Sequence, residues 1–311
     1  MGSSHDELTT FCAALAVGVS VSLCSPACSS GNSDTSSSLH ASSSALVIRI
    51  TGSDTMVNLV QAWAENYKKA QPLVSVQVAG GGSGVGIAGL IEGLLDIAAA
   101  GREMKADEMT RAKAHNGVRP REFTVALDAI ALYVHKDNPL DSISIEELAG
   151  IYGDRGPIQK WSQLGVKNSA CTRDAIIRVS RQNSSGTYVY FREVVLGDKR
   201  DYKLGSIDLS GSKDVVALVS RTPCAIGYSG MAFAAHGVKA LKISRKKGGP
   251  MVSPTADAVI NGSYPIARHL YLYTRGEPTD QTKAFLDWVL GIHGQQIVRD
   301  IGFVPVLVPG T

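Results

Sequence analysis

The chain of 311 residues is 44% hydrophobic and 19% charged, which is enough apolar surface for one large core or two ordinary ones. That composition excludes collagen, coiled coil and general disorder. A formal charge of +3, with Arg245-Lys246-Lys247 as its tight basic run, is too mild and too scattered to point to nucleic acid.

Phe11 to Cys24 is an apolar stretch of signal-peptide length, too short to span a bilayer. Residues 1–27 therefore read as an export signal, although Met1 to Thr10 contains no Lys or Arg. Cys28, after Ser25-Pro26-Ala27, stands where a bacterial lipoprotein carries its lipidated cysteine, with Cys24 as the alternative anchor. Half of residues 28–45 are serine, as expected of a flexible tether. Cys171 and Cys224 remain for the folded part, where either a disulfide or two buried thiols fits the sequence.

Leu46 to Ile50 is a β-rich run ending at Gly52, followed by Leu59, Trp63, Tyr67 and Ala70 at helical spacing. Val74, Val76 and Val78 alternate as a strand. Gly80 to Gly86 then turns the chain into a second helix with Ile87, Leu90, Ile91 and Leu94 on one face. Asp96 to Ala100 is a short buried strand ending at Gly101-Arg102, and the alternation continues as far as Tyr228. Such a pattern predicts an α/β fold with sheets covered on both faces. Phe123 to Val134 and Arg268 to Tyr273 are the longest later strands and are placed to cross between two lobes. On that reading 46–126 and 265–311 form one lobe, completed by a C-terminal helix around Phe285, Trp288, Val289 and Ile292. Residues 127–264 form the other.

Loops at the carboxyl ends of strands that run into helices present unpaired N–H groups and suit small anions. Three have fitting residues: Gly52-Ser53-Asp54-Thr55-Met56, Gly82-Ser83-Gly84, and Arg181 with Ser184-Ser185-Gly186-Thr187. Alone, each is as well read as a turn or a helix cap. The same architecture three times, in a chain whose lobes could bring the loops together, favours a binding cleft. Arg181 adds a fixed cation whose planar fork suits an oxyanion.

Enzyme motifs are missing. There is no Walker loop, no Gly-x-Ser-x-Gly and no His-Glu-x-x-His, and the seven histidines include no pair at metal-ligand spacing. No metal or cofactor is expected. Ser210-Gly211-Ser212-Lys213 matches Ser-x-x-Lys but lacks the companion motifs, and reads as a helix start.

The motifs resemble those of the phosphate-binding proteins that serve ABC-type phosphate importers. The resemblance runs from about residue 46 to the C-terminus. It is carried by Gly52 to Met56, Gly80 to Gly84, Asp96-Ile97-Ala98, Ile151-Tyr152-Gly153, Trp161 to Gly165, Arg181 with Ser185-Gly186-Thr187, Ala225 to Tyr228, and Tyr264 to Arg268. It implies a two-lobed type II periplasmic-binding-protein clamshell, a monomer that closes on inorganic phosphate and delivers it to membrane permease subunits. It also implies Thr55 and Ser83 as hydroxyl donors, Met56 as a main-chain N–H donor, and Arg181, Ser185, Gly186 and Thr187 as the strongest group. Ser53, Asp54, Gly84 and Arg102 complete the expected phosphate-binding set.

One position departs from that pattern. Gly101 stands where related sequences commonly have serine, so the resemblance implies that one hydroxyl is lost and that the Gly101 N–H or a water takes its place. Lower affinity, or another tetrahedral oxyanion such as sulfate, molybdate or tungstate, would follow. A secreted phosphohydrolase using the same anion cradle is the alternative from a different class. Phosphate near neutral pH carries a proton and sulfate does not, so a site with an acceptor selects phosphate. Asp54 is the candidate acceptor, with N-capping of the helix near Thr55 as its other use.

Overall fold

The computed structural model describes residues 46–197 and 199–306. The expected export signal and the tether with Cys24 and Cys28 lie outside the described residues.

The first half builds three strand–loop–helix units: β1 (Leu46–Gly52) and α1 (Val57–Ala70), β2 (Val74–Ala79) and α2 (Ser83–Ile91), β3 (Ile97–Ala100) and α3 (Ala106–Asn116). The long strand β4 (Arg121–His135) follows, then β5 (Ser142–Ser144), α4 (Ile145–Tyr152), β6 (Ile177–Arg181) and α5 (Gly186–Phe191). After α5 one π-helical stretch, Arg192–Leu196, continues the helix. The rest comprises β7 (Ile207–Leu209), α6 (Ser212–Val219), β8 (Ala225–Gly230), β9 (Val238–Ala240), β10 (Lys242–Ser244) and α7 (Ala256–Ile260). It ends with β11 (Ala267–Thr274), α8 (Asp280–Leu290) and α9 (Ile292–Ile301).

Nine strands form one mixed sheet in the order β2-β1-β3-β11-β4-β8-β6-β7, with β9 also against β4. The long β4 is the seam. Up to Ala129 it pairs antiparallel with β11, and from Ile130 onward it pairs with β8. Fifteen residues are needed because the strand serves both halves of the sheet. Its central run from Val125 to Val134 is apolar except for Asp128, and nearly all of it is buried.

Each half has a core on both faces. In the first, α1, α8 and α9 close over Ile48, Ile50, Trp63, Leu270 and Phe285, while α2 and α3 cover Ala98, Ala100 and Tyr273 on the other face. In the second, α4 and α5 cover Leu132, Tyr152, Phe191 and Tyr228, and α6 covers Tyr133, Val179 and Val215. Burying such aliphatic and aromatic side chains stabilises each by about 1.5–3 kcal/mol relative to exposure.

Two expectations are corrected in detail. Leu94 falls beyond the end of α2 and is exposed, because the helix stops before Gly93, which takes a left-handed φ of 72°. The C-terminal helix is two helices broken at Gly291, and Ile292 starts the second as an exposed residue. Cys171 and Cys224 are bonded, tying the chain ahead of β6 to the start of β8.

Candidate functional site

The parallel pair β1 and β3 and the parallel pair β6 and β7, which runs the opposite way across the sheet, bring their carboxyl ends toward one place, as α/β sheets do for ligands. From the first half come the Ser53–Met56 loop, the start of α2 and Gly101. From the second come Arg181, the start of α5 and the start of α6.

The two halves touch directly there. Gly84 N–H donates to Ser184 O at 2.9 Å, and Ser184 Oγ donates to Gly81 O at 3.0 Å. Contact is so close that a Cβ on Gly186 would lie 2.3 Å from Ser83 Oγ, and one on Gly82 would lie 2.6 Å from Ser184 O. Glycine at 82 also meets a backbone need, since its φ is 98°.

Four hydroxyls surround the point of contact. Thr55 Oγ1 lies 3.0 Å from Thr187 Oγ1 and 3.2 Å from Ser212 Oγ. Ser83 Oγ accepts from Gly101 N–H at 3.0 Å, and Ser212 Oγ accepts from Arg181 Nη1 at 2.9 Å. Ser185 belongs to the same rim as the N-cap of α5, its Oγ accepting from Thr187 and Tyr188 N–H at 3.2 and 3.4 Å. A hydroxyl whose lone pair already accepts an N–H has its own proton left to donate. Ser83, Ser185 and Ser212 are thereby set as donors to an anion. Thr55, Ser83, Ser185, Thr187 and Ser212 are all buried.

Arg181 supplies the charge. Its side chain is 1% exposed, and Nε donates to Ser210 O at 3.1 Å while Nη2 donates to the same carbonyl. These bonds fix the fork without neutralising it. Burial pulls its pKa down to about 10, partly offset by Asp54, so the guanidinium stays charged near neutral pH.

Asp54 does not cap the first helix. The N-cap of α1 is Met56, with no side-chain cap bond, and Asp54 Oδ1 instead accepts Gly81 N–H at 2.8 Å. Its Oδ2 is buried, has no hydrogen-bond partner, and lies 3.5 Å from Arg181 Nη2. A buried carboxylate oxygen without a donor is costly unless a proton-bearing ligand meets it.

Three expected ligands are placed differently. Arg102 forms a two-pronged pair with Glu108 at 2.7 Å on each arm, while its Nε is buried without a partner. Met56 N–H donates to Ser53 O at 2.9 Å, within a turn, and its side chain is in the core. Gly101 N–H, expected to replace a lost hydroxyl, goes to Ser83 instead. Ser53 is buried behind the loop, its N–H held by Ala99 O at 2.8 Å.

The sequence reading passed over Ser212, Arg268 and Asp128. Ser212 follows a strand and opens a helix, the same signal that singled out the other loops. Arg268 and Asp128 face each other only through the β4–β11 register. Arg268 Nη2 donates to Asp128 Oδ2 at 2.8 Å and reaches Thr55 Oγ1 at 3.4 Å. Burial raises the Asp128 pKa against the opposing pull of Arg268. Among the described residues, no cluster of His, Cys, Asp and Glu is arranged to hold a metal ion.

A clamshell-like α/β scaffold whose strand ends gather hydroxyls around a buried arginine is the architecture of an oxyanion receptor. Comparison with known proteins agrees. Residues 31–291 match the family model described as a PBP superfamily domain. The phosphate-binding protein PstS of Pseudomonas aeruginosa is 34% identical over 265 residues, covering 82% of this chain and 81% of that protein. PstS of Bacillus subtilis is 33% identical over 277 residues, covering 88% and 85%. Among solved structures, a protein from Clostridium perfringens with bound phosphate aligns with a TM-score of 0.73 and 30% identity, over 84% of this chain and 100% of that one. An ABC-type phosphate transport receptor from Vibrio cholerae aligns with a TM-score of 0.67 and 25% identity, over 83% and 100%. The chain belongs to the PBP superfamily and, within it, to the PstS phosphate-binding proteins.

Proposed function

We propose that this protein captures one inorganic phosphate in the cleft between two lobes, 46–126 with 265–311 and 127–264, and presents it to the permease subunits of an ABC importer. The observation that carries the reading is Asp54 Oδ2, a buried acceptor with no partner, beside a buried Arg181 and a ring of hydroxyl donors. Phosphate, with negative oxygens and a residual proton, satisfies both kinds of group at once, and sulfate satisfies only the donors. The change of partner along β4, from β11 to β8, supports the lobe boundary near residue 127. Binding and release follow from hinge motion at β4 and β11, with no covalent step.

Charge-assisted bonds are worth roughly 1.5–3 kcal/mol each. Micromolar affinity needs only about 8 kcal/mol in all, so several such donors suffice after the cost of closing. The export signal and serine tether suit a body held outside the cytoplasmic membrane, through Cys28 or Cys24, acting as a monomer. The test is calorimetric titration of ligand-stripped protein with phosphate and with sulfate. One-to-one phosphate binding with little sulfate response is expected. No phosphate binding by folded protein, or turnover of a phosphomonoester with or without divalent metal, would reject the reading.

A further inference from the structure

Arg268 is engaged by more than its strand partner. Its Nε and Nη2 donate to Asp128 Oδ2 at 3.1 and 2.8 Å, and Nη1 donates to Gly101 O at 3.0 Å. A guanidinium has five N–H groups, so these bonds leave two over. On Nη2 the remaining one is directed to Thr55 Oγ1 at 3.4 Å. Arg268 therefore approaches the hydroxyl cluster from the Thr55 side, while Arg181 approaches it through Ser212. Both side chains are 1% exposed.

Gly101 makes the room. A Cβ at that position would sit 2.9 Å from Arg268 Nη1 and 3.4 Å from its Cζ, so a larger residue would push the guanidinium out of place.

We propose that Arg268 is a second anion-binding cation of the cleft, the Nη2 N–H now directed at Thr55 Oγ1 over a long 3.4 Å turning to a phosphate oxygen when the ligand is bound. This rests on the phosphate-binding reading above. Asp128 balances the charge of Arg268, so the site gains a charge-assisted donor without a change in net charge, and Asp54 keeps its role as acceptor. Arg268 also adds to the like-charge pressure on Arg181, which an anion seated between the two would relieve.

The experiment titrates the purified full chain, stripped of co-purified ligand, with inorganic phosphate as wild type, Arg268→Lys and Gly101→Ala. Unfolding midpoints are measured without ligand, and the wild-type phosphate complex is crystallised. Lysine keeps the charge and loses the fork; alanine keeps the arginine and displaces it. Each variant is expected to weaken phosphate binding by roughly tenfold or more, the loss of one charge-assisted bond, alongside a lowered ligand-free midpoint from the disturbed Arg268–Asp128 pair. If Arg268→Lys fails to fold, Gly101→Ala and the crystal structure decide. Wild-type affinity in the folded variants, or a complex in which Arg268 Nη2 lies beyond about 3.5 Å from every phosphate oxygen, would overturn the proposal and leave Arg268 as a strut between β11 and β4. Absence of phosphate binding by the wild type would instead bring down the phosphate reading itself, a result separable from the first.

Discussion

Replacing Asp54 by asparagine should convert a phosphate-selective cleft into one that tolerates sulfate, and the structure fixes how. Gly81 N–H needs the acceptor it now finds in Asp54 Oδ1 at 2.8 Å, so the asparagine carbonyl will take that place. Its NH2 group then occupies the position of Oδ2, 3.5 Å from Arg181 Nη2. An acceptor becomes a donor at the one point where the ligand's proton is read. Phosphate loses a bond to a charged group, roughly 1.5–3 kcal/mol or about 10- to 100-fold in affinity. Sulfate, which had faced a carboxylate with no proton to offer it, gains a donor. The phosphate-to-sulfate affinity ratio should therefore fall by at least about tenfold. Arg181 loses the partial offset that Asp54 gives against burial, yet a guanidinium stays protonated near neutral pH. Calorimetry of both variants with both anions at one pH near neutrality reads the ratio directly, with thermal unfolding to confirm the fold. An unchanged ratio in folded Asp54→Asn protein would refute the acceptor role.

Arg181→Ala should be the most damaging single change, lowering phosphate affinity by about 100-fold or more through loss of two charge-assisted bonds; retained tight binding would displace the site. Gly186→Ala should hold the halves apart, because its Cβ would lie 2.3 Å from Ser83 Oγ, so phosphate affinity should drop while ligand-free stability holds. Calorimetry paired with thermal melts separates those effects. Removing the Cys171–Cys224 bridge, which spans 53 residues, should cost about 4 kcal/mol of stability by loop entropy. Phosphate affinity should be unaffected, since the bridge adjoins the opposite ends of β6 and β8 from the site. Denaturant melts with and without reductant, followed by titration, check both parts. For pH, burial of Glu108 is outweighed by its bonds to Arg102 and to Lys105 N–H, so its folded pKa lies below the usual value. That pair's contribution is present above the unfolded pKa near 4.3 and is lost as pH falls through the lowered folded value. Glu108→Gln should then flatten the acid limb of the stability curve, measured by melts across that range.

Much of the scaffold was legible because its signals are local. Val74, Val76 and Val78 alternate as a strand must, and Leu59, Trp63 and Tyr67 recur as one helix face must. The three loops were legible for the same reason: a small hydroxyl beside glycine at a strand-to-helix turn is a pattern within a few residues. What the sequence hid depends on register and on approach between distant segments. Nothing near Arg268 announces Asp128, which lies 140 residues away and meets it only because β4 and β11 pair in that frame. Arg102 looked like a ligand by position, yet Glu108, one helical turn into α3, captures its fork. Met56 likewise stood in a ligand motif, but the tight turn from Ser53 engages its N–H. Gly101 looked like a lost hydroxyl, and only the packed guanidinium beside it shows what the missing Cβ allows.

The central claim is that this cleft holds phosphate in preference to an equally shaped anion that carries no proton. Titration of ligand-stripped wild-type protein with phosphate, then with sulfate, at a single pH near neutrality tests it most directly. Tight one-to-one phosphate binding with weak sulfate binding is the predicted result. Equal affinity for the two anions, or a preference for sulfate, would contradict it.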